Sequence, residues 1–309
     1  MRTGARTGNQ VRVRVPAKVN LGLRVGPPRA DGFHELATVY QAVNLFDTVV
    51  ATPAPEWGIT LTGRTSAGVP TDDTNLALRA ARLLAGEHDI PDAVHLRITK
   101  EIPVAGGMAG GSADAAGALL ACNRLWELNL PVADLVPYAA QLGSDVPFLL
   151  TGGTALGTGR GEQVVPVLTR RSYHWVFALS DAGLSTPAVY AECDRLRADA
   201  HVAQPQRDTA LLTALAAGDP HALADCLHND LQPAALHLQP ALERVLAAGM
   251  EYGALAGLVS GSGPTLAFLA KDAESAIDLA VALTASGEAA DVRKATGPAT
   301  TCAPEVGAS

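Results

Sequence analysis

The sequence predicts an α+β protein built in two lobes. Its 309 residues exceed the roughly 100–200 residues of a typical single domain. Patterns typical of strands and of helices are mixed along the chain without strict alternation, which favours an α+β arrangement. With 48% hydrophobic and only 17% charged residues, the chain has the apolar content of a packed protein and not of a disordered one.

The first half predicts one lobe, over residues 11–160. The alternation V-R-V-R-V at 11–15 predicts a strand with its valines buried and its arginines in solvent. Residues 1–10 are polar, and we expect a flexible N-terminus there. Further strands are predicted at 36–50, 58–62 and 94–99, and helices at 75–84, 112–128 and 132–142.

The second half predicts another lobe, over residues 170–296. The Gly-rich segment 152–161 before it is expected to be irregular, and the Pro/Thr/Ala-rich segment 297–309 after it is expected to be a flexible tail. Strands are predicted at 173–180, 255–260, 265–270 and 291–295. Helices are predicted to open at Ser185 and to cover 209–217, 220–228, 238–248 and 273–286.

Charge is unevenly spread along the chain. The net charge is −8, yet residues 1–30 carry seven basic side chains and no acidic one. Because this basic stretch includes the alternating strand at 11–15, we interpret it as a solvated strand face, and neither as a targeting segment nor as a nucleic-acid arm. We expect no nucleic-acid partner.

The cysteine pattern excludes two classes of site and favours one location. No two of the four cysteines are spaced as a C-x-x-C pair, so the sequence indicates neither a zinc site nor a redox motif. Isolated cysteines fit the reducing cytoplasm, where we expect the protein. No apolar run approaches the roughly 18 residues of a membrane span, so we expect no membrane partner.

The glycine-rich stretch Pro103–Ala115 is the segment that points most clearly to chemistry. Four glycines within six residues lie between a predicted strand and a predicted helix, where backbone N–H groups and a helix N-terminus favour a phosphate group. Ser112 stands where a Walker A loop needs lysine, and Met108 stands where a dinucleotide-binding loop needs its second glycine. The loop must therefore take its positive charge from Mg²⁺ or from a distant lysine.

Two further segments offer that lysine and a carboxylate. Lys18 lies in P-A-K-V-N, and Asp145 lies in L-G-S-D-V-P-F. Read alone, Lys18 is equally typical of a surface side chain, and Asp145 of a helix cap.

Taken together and in this order, the three motifs resemble those of the GHMP small-molecule kinases. D-G-F-H-E-L at 31–36 and S-G-S-G-P at 260–264 are similar to segments of the branch that acts on a cytidine-diphosphate methylerythritol. The resemblance covers about residues 11–296. It implies an N-terminal, ATP-binding lobe like ribosomal protein S5 and a C-terminal ferredoxin-like lobe.

The resemblance also implies a reaction and its residues. ATP and Mg²⁺ would serve as cofactors, and the γ-phosphate would pass to the 2-hydroxyl of cytidine-diphosphate methylerythritol, a step of isoprenoid synthesis by the non-mevalonate route. Lys18 and Asp145 would be catalytic; no residue is assigned to the metal. The ATP-binding residues implied are Pro103, Val104, Ala105, Gly106, Gly107, Met108, Ala109, Gly110, Gly111, Ser112 and Ala113. The substrate-binding residues implied are Asn20, Phe33, His34, Thr186 and Tyr190.

Two alternatives for the function stay open from the sequence. Another GHMP kinase, of the homoserine or mevalonate type, would lack the cytidine-reading segment. A non-catalytic metabolite-binding homologue would lack Lys18 or Asp145. Phe33 replaces the tyrosine that is usual in this branch, and Tyr190 is equally typical of a core residue on a helix face. The protein is expected to be a monomer or a weak homodimer.

Overall fold

Two β-sheets organise the residues that the structure, a computed structural model, describes, which are 9–104 and 106–308. Within these residues one sheet has eight strands and the other has four, and helices pack against both. The predicted two-lobed α+β fold is confirmed. The predicted flexible N-terminus lies outside the described residues up to residue 8.

The strands are β1 (Asn9–Pro28), β2 (His34–Ala54), β3 (Gly58–Thr62), β4 (Ala93–Thr99), β5 (Thr154–Thr158), β6 (Gln163–Pro166), β7 (Tyr173–Leu179), β8 (His228–Asn229), β9 (Ala256–Val259), β10 (Leu266–Ala270), β11 (Asp291–Gly297) and β12 (Glu305–Ala308). The helices are α1 (Leu76–Glu87), α2 (Gly110–Leu125), α3 (Val132–Leu142), α4 (Val146–Leu149), α5 (Thr186–Leu196), α6 (Thr209–Ala217), α7 (Pro220–Ala224), α8 (Gln232–Leu238), α9 (Ala241–Glu251) and α10 (Ala273–Ser286).

The first sheet is built around the long antiparallel pair β1 and β2. Its main path runs β12-β1-β2-β4-β3, with β5 and β6 added beside β2 and β8 beside β1. Along the start of β1 the valines are buried and Arg12 and Arg14 are exposed, as the alternation predicts. The chain first leaves this sheet after Pro166, beyond residue 160, where the first lobe was predicted to end, and it returns to the sheet in β8 and β12.

The second sheet, in the order β11-β7-β10-β9, is antiparallel throughout. Tyr173, Trp175 and Phe177 on one face of β7 join the core of the first lobe. Val176, on the other face, packs into a second core with α5, α8, α9 and α10. Because successive strand residues face opposite ways, β7 contributes to both cores. The Trp175 indole N–H donates a hydrogen bond of 3.0 Å to Gln41 Oε1 on β2.

The helices largely follow their predicted positions. The bounds of α3, α6 and α10 are those expected from the sequence. Helix α2 starts two residues before the predicted Ser112, at Gly110, and α8, between Leu231 and Gln239, was not predicted. Within residues 9–104 and 106–308, no helix is both long and apolar enough to cross a membrane.

Two segments expected to lack regular structure contain strands. The prediction that the segment 152–161 is irregular is wrong, because β5 lies inside it and pairs with β2 and β6. The prediction of a flexible tail is also wrong for the described residues up to 308, because β12, at 305–308, pairs antiparallel with the start of β1. The Cys302 N–H donates to the Arg14 carbonyl at 2.9 Å, and the Thr301 hydroxyl donates to the Leu149 carbonyl at 2.7 Å. Long-range pairing therefore orders both segments, which composition alone does not reveal.

Candidate active site

Strand β1 carries Lys18 and Asn20 into a cavity. A register shift between Pro16 and Ala17 interrupts the pairing with β2 just before them, where proline has no N–H for the ladder. Because side chains two apart share one face, Lys18 and Asn20 point together, while Val19 lies in the core. Both polar side chains are almost fully buried, at 5% and 3% exposed.

A chain of hydrogen bonds fixes the lysine next to the predicted catalytic carboxylate. Lys18 Nζ donates to Asn20 Oδ1 at 2.5 Å, and Asn20 Nδ2 donates to Thr38 Oγ1 at 2.8 Å. The Thr38 hydroxyl in turn donates to the Gly22 carbonyl at 2.8 Å. On its free side Lys18 Nζ lies 3.8 Å from Asp145 Oδ2, whose side chain is 28% exposed. The structure thus brings the two predicted catalytic residues together, with the carboxylate open to the cavity.

Asp145 sits at the N-cap of α4, directly after the end of α3. Gly143 ends α3, and Val146 and Pro147 begin the short buried helix α4. Asp145 accepts no side-chain cap hydrogen bond from α4. The carboxylate is therefore not consumed as a helix cap, which was the alternative reading of this motif.

Two tyrosines near this carboxylate belong to the site. Burial first, and then the charge of Asp145, raises the pKa of Tyr40 well above its ordinary value. The same two causes raise the pKa of Tyr190. Both phenols therefore stay protonated at neutral pH and are available as hydrogen-bond donors. Tyr40 was missed by sequence reasoning because it lies in the middle of β2, outside any of the motifs. Its ring stacks on that of Phe148, with centroids 5.0 Å apart.

The glycine-rich loop leads into α2 at the edge of the same cavity. Ala109, at the N-cap of α2, has a left-handed φ of 61°, and Gly107 has a φ of 72°. A Cβ on Gly107 would lie 1.9 Å from the Ser260 carbonyl oxygen, so no other residue fits there. The Ser260 hydroxyl donates to the Gly107 carbonyl at 3.1 Å. The second glycine motif, 260–264, therefore holds the first in place.

Most of the predicted ATP-binding residues line this cavity, whose volume is about 860 Å³. They are Pro103, Gly106, Gly107, Ala109, Gly110, Gly111 and Ser112. Met108 and Ala113 are fully buried, so their side chains belong to the core and not to a binding surface. Val104 is 44% exposed and is not among the lining residues, and Ala105 lies outside the described residues.

The opposite end of the cavity is aromatic. His34 and Tyr190 have ring centroids 5.0 Å apart, and His34 Nε2 lies 2.9 Å from Asp194 Oδ1. The Arg160 guanidinium lies over the Phe33 ring, 4.8 Å from its centroid. All five of these residues line the cavity. The structure therefore brings Phe33, His34 and Tyr190 together, as the resemblance implies.

Arg160 and Asp194 were not predicted. Asp194 lies four residues after Tyr190 on α5, so helical spacing could have identified it as a neighbour. Arg160 lies in the glycine-rich segment that was expected to be irregular, and no local signal marks it. The remaining predicted residue, Thr186, begins α5 and its hydroxyl oxygen lies 2.8 Å from that of Ser262.

Comparison with known proteins is consistent with this geometry. The family model for the GHMP kinases N terminal domain matches residues 75–153, and that for the GHMP kinases C terminal region matches residues 211–289. A 4-diphosphocytidyl-2-C-methyl-D-erythritol kinase of Streptomyces avermitilis is 58% identical over 289 residues, covering 94% of this chain and 97% of that protein. The chain belongs to the 4-diphosphocytidyl-2-C-methyl-D-erythritol kinase family of the GHMP kinases.

One solved structure supports the same assignment, and a second shows the fold. A crystal structure of a 4-(cytidine 5'-diphospho)-2C-methyl-D-erythritol kinase superposes with a TM-score of 0.75 at 32% identity, covering 93% of this chain and 99% of that one. A homoserine kinase of Cytophaga hutchinsonii superposes with a TM-score of 0.71 at 20% identity, covering 99% of this chain and 98% of that one. The second likeness shows the shared GHMP kinase fold alone. Membership of the methylerythritol kinase family rests on the relatives with higher identity.

Proposed function

We propose that this protein transfers the γ-phosphate of ATP to the 2-hydroxyl of 4-diphosphocytidyl-2-C-methyl-D-erythritol, in the non-mevalonate route to isoprenoids. One observation carries the proposal. The Lys18–Asp145 pair, 3.8 Å apart, lies in a single cavity with the glycine loop and with the aromatic residues Phe33, His34 and Tyr190. The cavity thus offers places for the phosphates, for the reacting hydroxyl and for the cytosine base.

The glycine loop and the start of α2 are suited to hold the ATP phosphates. The amides around Gly106–Gly111 and the positive end of the helix dipole attract phosphate oxygens. Phosphoryl transfer asks little covalent chemistry of a protein and depends on alignment and charge stabilisation. In this proposal the glycine loop supplies the alignment.

Asp145 and Lys18 act on the acceptor hydroxyl in this proposal. The hydroxyl oxygen attacks the γ-phosphorus, the bond from that phosphorus to the oxygen bridging to the β-phosphate breaks, and ADP leaves. The hydroxyl proton passes to Asp145, which is partly exposed to the cavity. Lys18, held by Asn20, stabilises the ionised carboxylate and the negative charge of the transferring group.

The residues of the cavity also fit a magnesium ion bound with the nucleotide. Mg²⁺ commonly uses one or two protein oxygens together with substrate phosphates. Ser112 lines the cavity, and its hydroxyl oxygen lies 3.9 Å from the position of a Cβ on Gly143, beside Ser144 and Asp145. Ser112 would hold the ion, which when bound neutralises charge on the phosphate oxygens.

The aromatic end is proposed to hold the cytidine. Replacing Tyr190 by leucine is expected to raise KM for the cytidine-linked substrate about tenfold, because stacking of a base on an aromatic ring contributes about 1–3 kcal/mol. KM for ATP should stay unchanged. Tyr190→Phe keeps the ring and serves as the matched control in steady-state assays. A leucine variant that affects both substrates equally would place Tyr190 in the core only.

Substrate choice is tested directly by ADP release. We expect turnover with the cytidine-diphosphate conjugate and none above background with homoserine, mevalonate or free methylerythritol. Activity on a free alcohol without activity on the conjugate would refute the proposed substrate and support another GHMP kinase. Binding of the conjugate and of ATP without any turnover would support the non-catalytic alternative. A cytoplasmic location, the absence of a nucleic-acid partner, and a monomer or weak homodimer stay predictions.

A further inference from the structure

A cluster of charged side chains lies buried beneath the glycine loop, outside the cavity. It consists of Lys100 after β4, Asp47 on β2 and Asp114 on α2, and we call it the Lys100 cluster. The three side chains are at most 3% exposed, and none of them lines the active-site cavity. The catalytic chemistry derived above does not use them.

The contacts of the Lys100 cluster join the two ends of the glycine loop. Asp47 Oδ1 accepts hydrogen bonds from the backbone N–H groups of Glu101 at 2.6 Å and Ile102 at 2.9 Å, where the chain enters the loop. Lys100 Nζ donates to Asp47 Oδ2, to Asp114 Oδ2 at 2.6 Å and to the Gly110 carbonyl at 3.3 Å. Gly110 and Asp114 belong to the first turns of α2, where the chain leaves the loop.

The charges in this cluster are unusual for a core. Moving one ion out of water costs several kcal/mol, and well-packed apolar residues often stabilise a protein equally well. Burial lowers the pKa of Lys100, but the charges of Asp114 and Asp47 outweigh that effect and raise it, so the ammonium group stays charged at neutral pH. Burial raises the pKa of Asp114 more than the Lys100 charge lowers it. A cluster that is this costly to bury is poorly explained by stability alone.

We propose that Lys100, with Asp47 and Asp114, is a positioning residue for ATP: it ties Ile102 to Gly110 and so holds the loop between them in its binding conformation. Fixing the backbone of one flexible residue costs roughly 1–2 kcal/mol. If residues 103, 104 and 106–109 had to be ordered by each incoming nucleotide, that cost would reduce the affinity for ATP. A loop whose two ends are already held in place avoids most of that cost.

The local geometry agrees with a pinned loop. A Cβ on Gly110 would lie 3.4 Å from Lys100 Nζ and 3.2 Å from Ile102 Cγ2, so the loop exit is seated directly on the cluster. The inference rests on the proposed function only in naming ATP as the ligand.

The test is a double variant, Lys100→Met with Asp114→Asn. It removes the Lys100 ammonium and the Asp114 carboxyl group, and Asp47 keeps its two backbone hydrogen bonds at the loop entrance. We expect the Kd for ATP, measured by calorimetry, to rise about tenfold as the loop loses its preorganisation. Hydrogen exchange at the amides of Gly106–Gly111 should become faster, while KM for the cytidine-linked substrate stays within about twofold of the parent value.

The matched control is Asn123→Ala, at the opposite end of the same helix. Asn123 is buried and exchanges hydrogen bonds of 2.9 and 3.0 Å with the Leu130 backbone. This variant should lower the unfolding temperature and leave the Kd for ATP unchanged. If it weakens ATP binding as much as the double variant does, or if the folded double variant binds ATP normally, the proposal is overturned.

A second variant covers failure of the double variant to fold. Asp114→Asn alone keeps Lys100 paired with Asp47, and we expect the Kd for ATP to rise about threefold. An unchanged Kd in this variant contradicts the proposal. Because ATP binding is measured without the alcohol, these results stand even if the cytidine-linked compound proves not to be phosphorylated.

Discussion

Asp145→Asn is expected to lower kcat by about 10²–10⁴-fold, because it removes the group that receives the hydroxyl proton. The amide keeps the size of the side chain but cannot accept the proton. The Kd for ATP should stay unchanged, since the glycine loop and α2 form a separate part of the cavity. Folding should also be preserved, because the side chain is 28% exposed and makes no cap hydrogen bond.

Stopped-flow or coupled measurement of kcat, alongside calorimetric ATP binding, checks this result. Asp134→Asn on the neighbouring helix α3 is the matched control, because the same change falls there on an exposed carboxylate away from the cavity. Turnover near that of the parent protein in Asp145→Asn would remove the residue from the mechanism.

Lys18→Met is expected to lower kcat by about 10²–10³-fold, the usual cost of losing one group that stabilises charge in the transition state. Methionine retains most of the aliphatic volume at this buried position. The loss leaves Asn20 Oδ1 without its donor and removes the positive charge 3.8 Å from Asp145. Both changes act on the reacting end of the substrate and not on the nucleotide loop.

Single-turnover kinetics with saturating ATP isolates the effect of this change on the chemical step. Lys271→Met, at an exposed position after β10, controls for loss of one positive charge. Combining Lys18→Met with Asp145→Asn should cost little more than either change alone, because the two residues act as a unit. Fully additive losses would indicate that they work independently.

Much of the fold follows from local patterns, and the exceptions have a common cause. The alternation at 11–15 and the proline-opened helix at Ser185 are local signals, and both predictions held. Strand β5 was missed because glycines make up half of the segment 152–161 that contains it. One of them, Gly157, is needed for the close approach of Tyr40, whose Cε2 would lie 2.6 Å from a Cβ. Strand β12 forms only by pairing with residues almost three hundred positions away.

The site residues likewise fall into those that a local motif marks and those that only the fold brings together. Lys18 and Asp145 lie in recognisable motifs, so the sequence was sufficient to propose them as a pair, and the structure places them 3.8 Å apart. Arg160 and Asp194 reach the cavity only because the fold returns their segments to it, and one sequence does not encode that proximity in any short pattern. The Lys100 cluster is a similar case, since its three side chains come from β2, from the residue after β4 and from α2.

The shared core has a consequence for how such kinases can recombine. Tyr173, Trp175 and Phe177 belong to the second sheet by chain position and to the first lobe by packing. A chimera that takes its C-terminal half from a distant homologue therefore places different β7 side chains against β2 at Gln41. Because the core is close-packed, a mismatch in side-chain shape there would disturb the neighbouring core residues. The C-terminal half is therefore not an interchangeable unit, because its strand β7 completes the core of the first lobe.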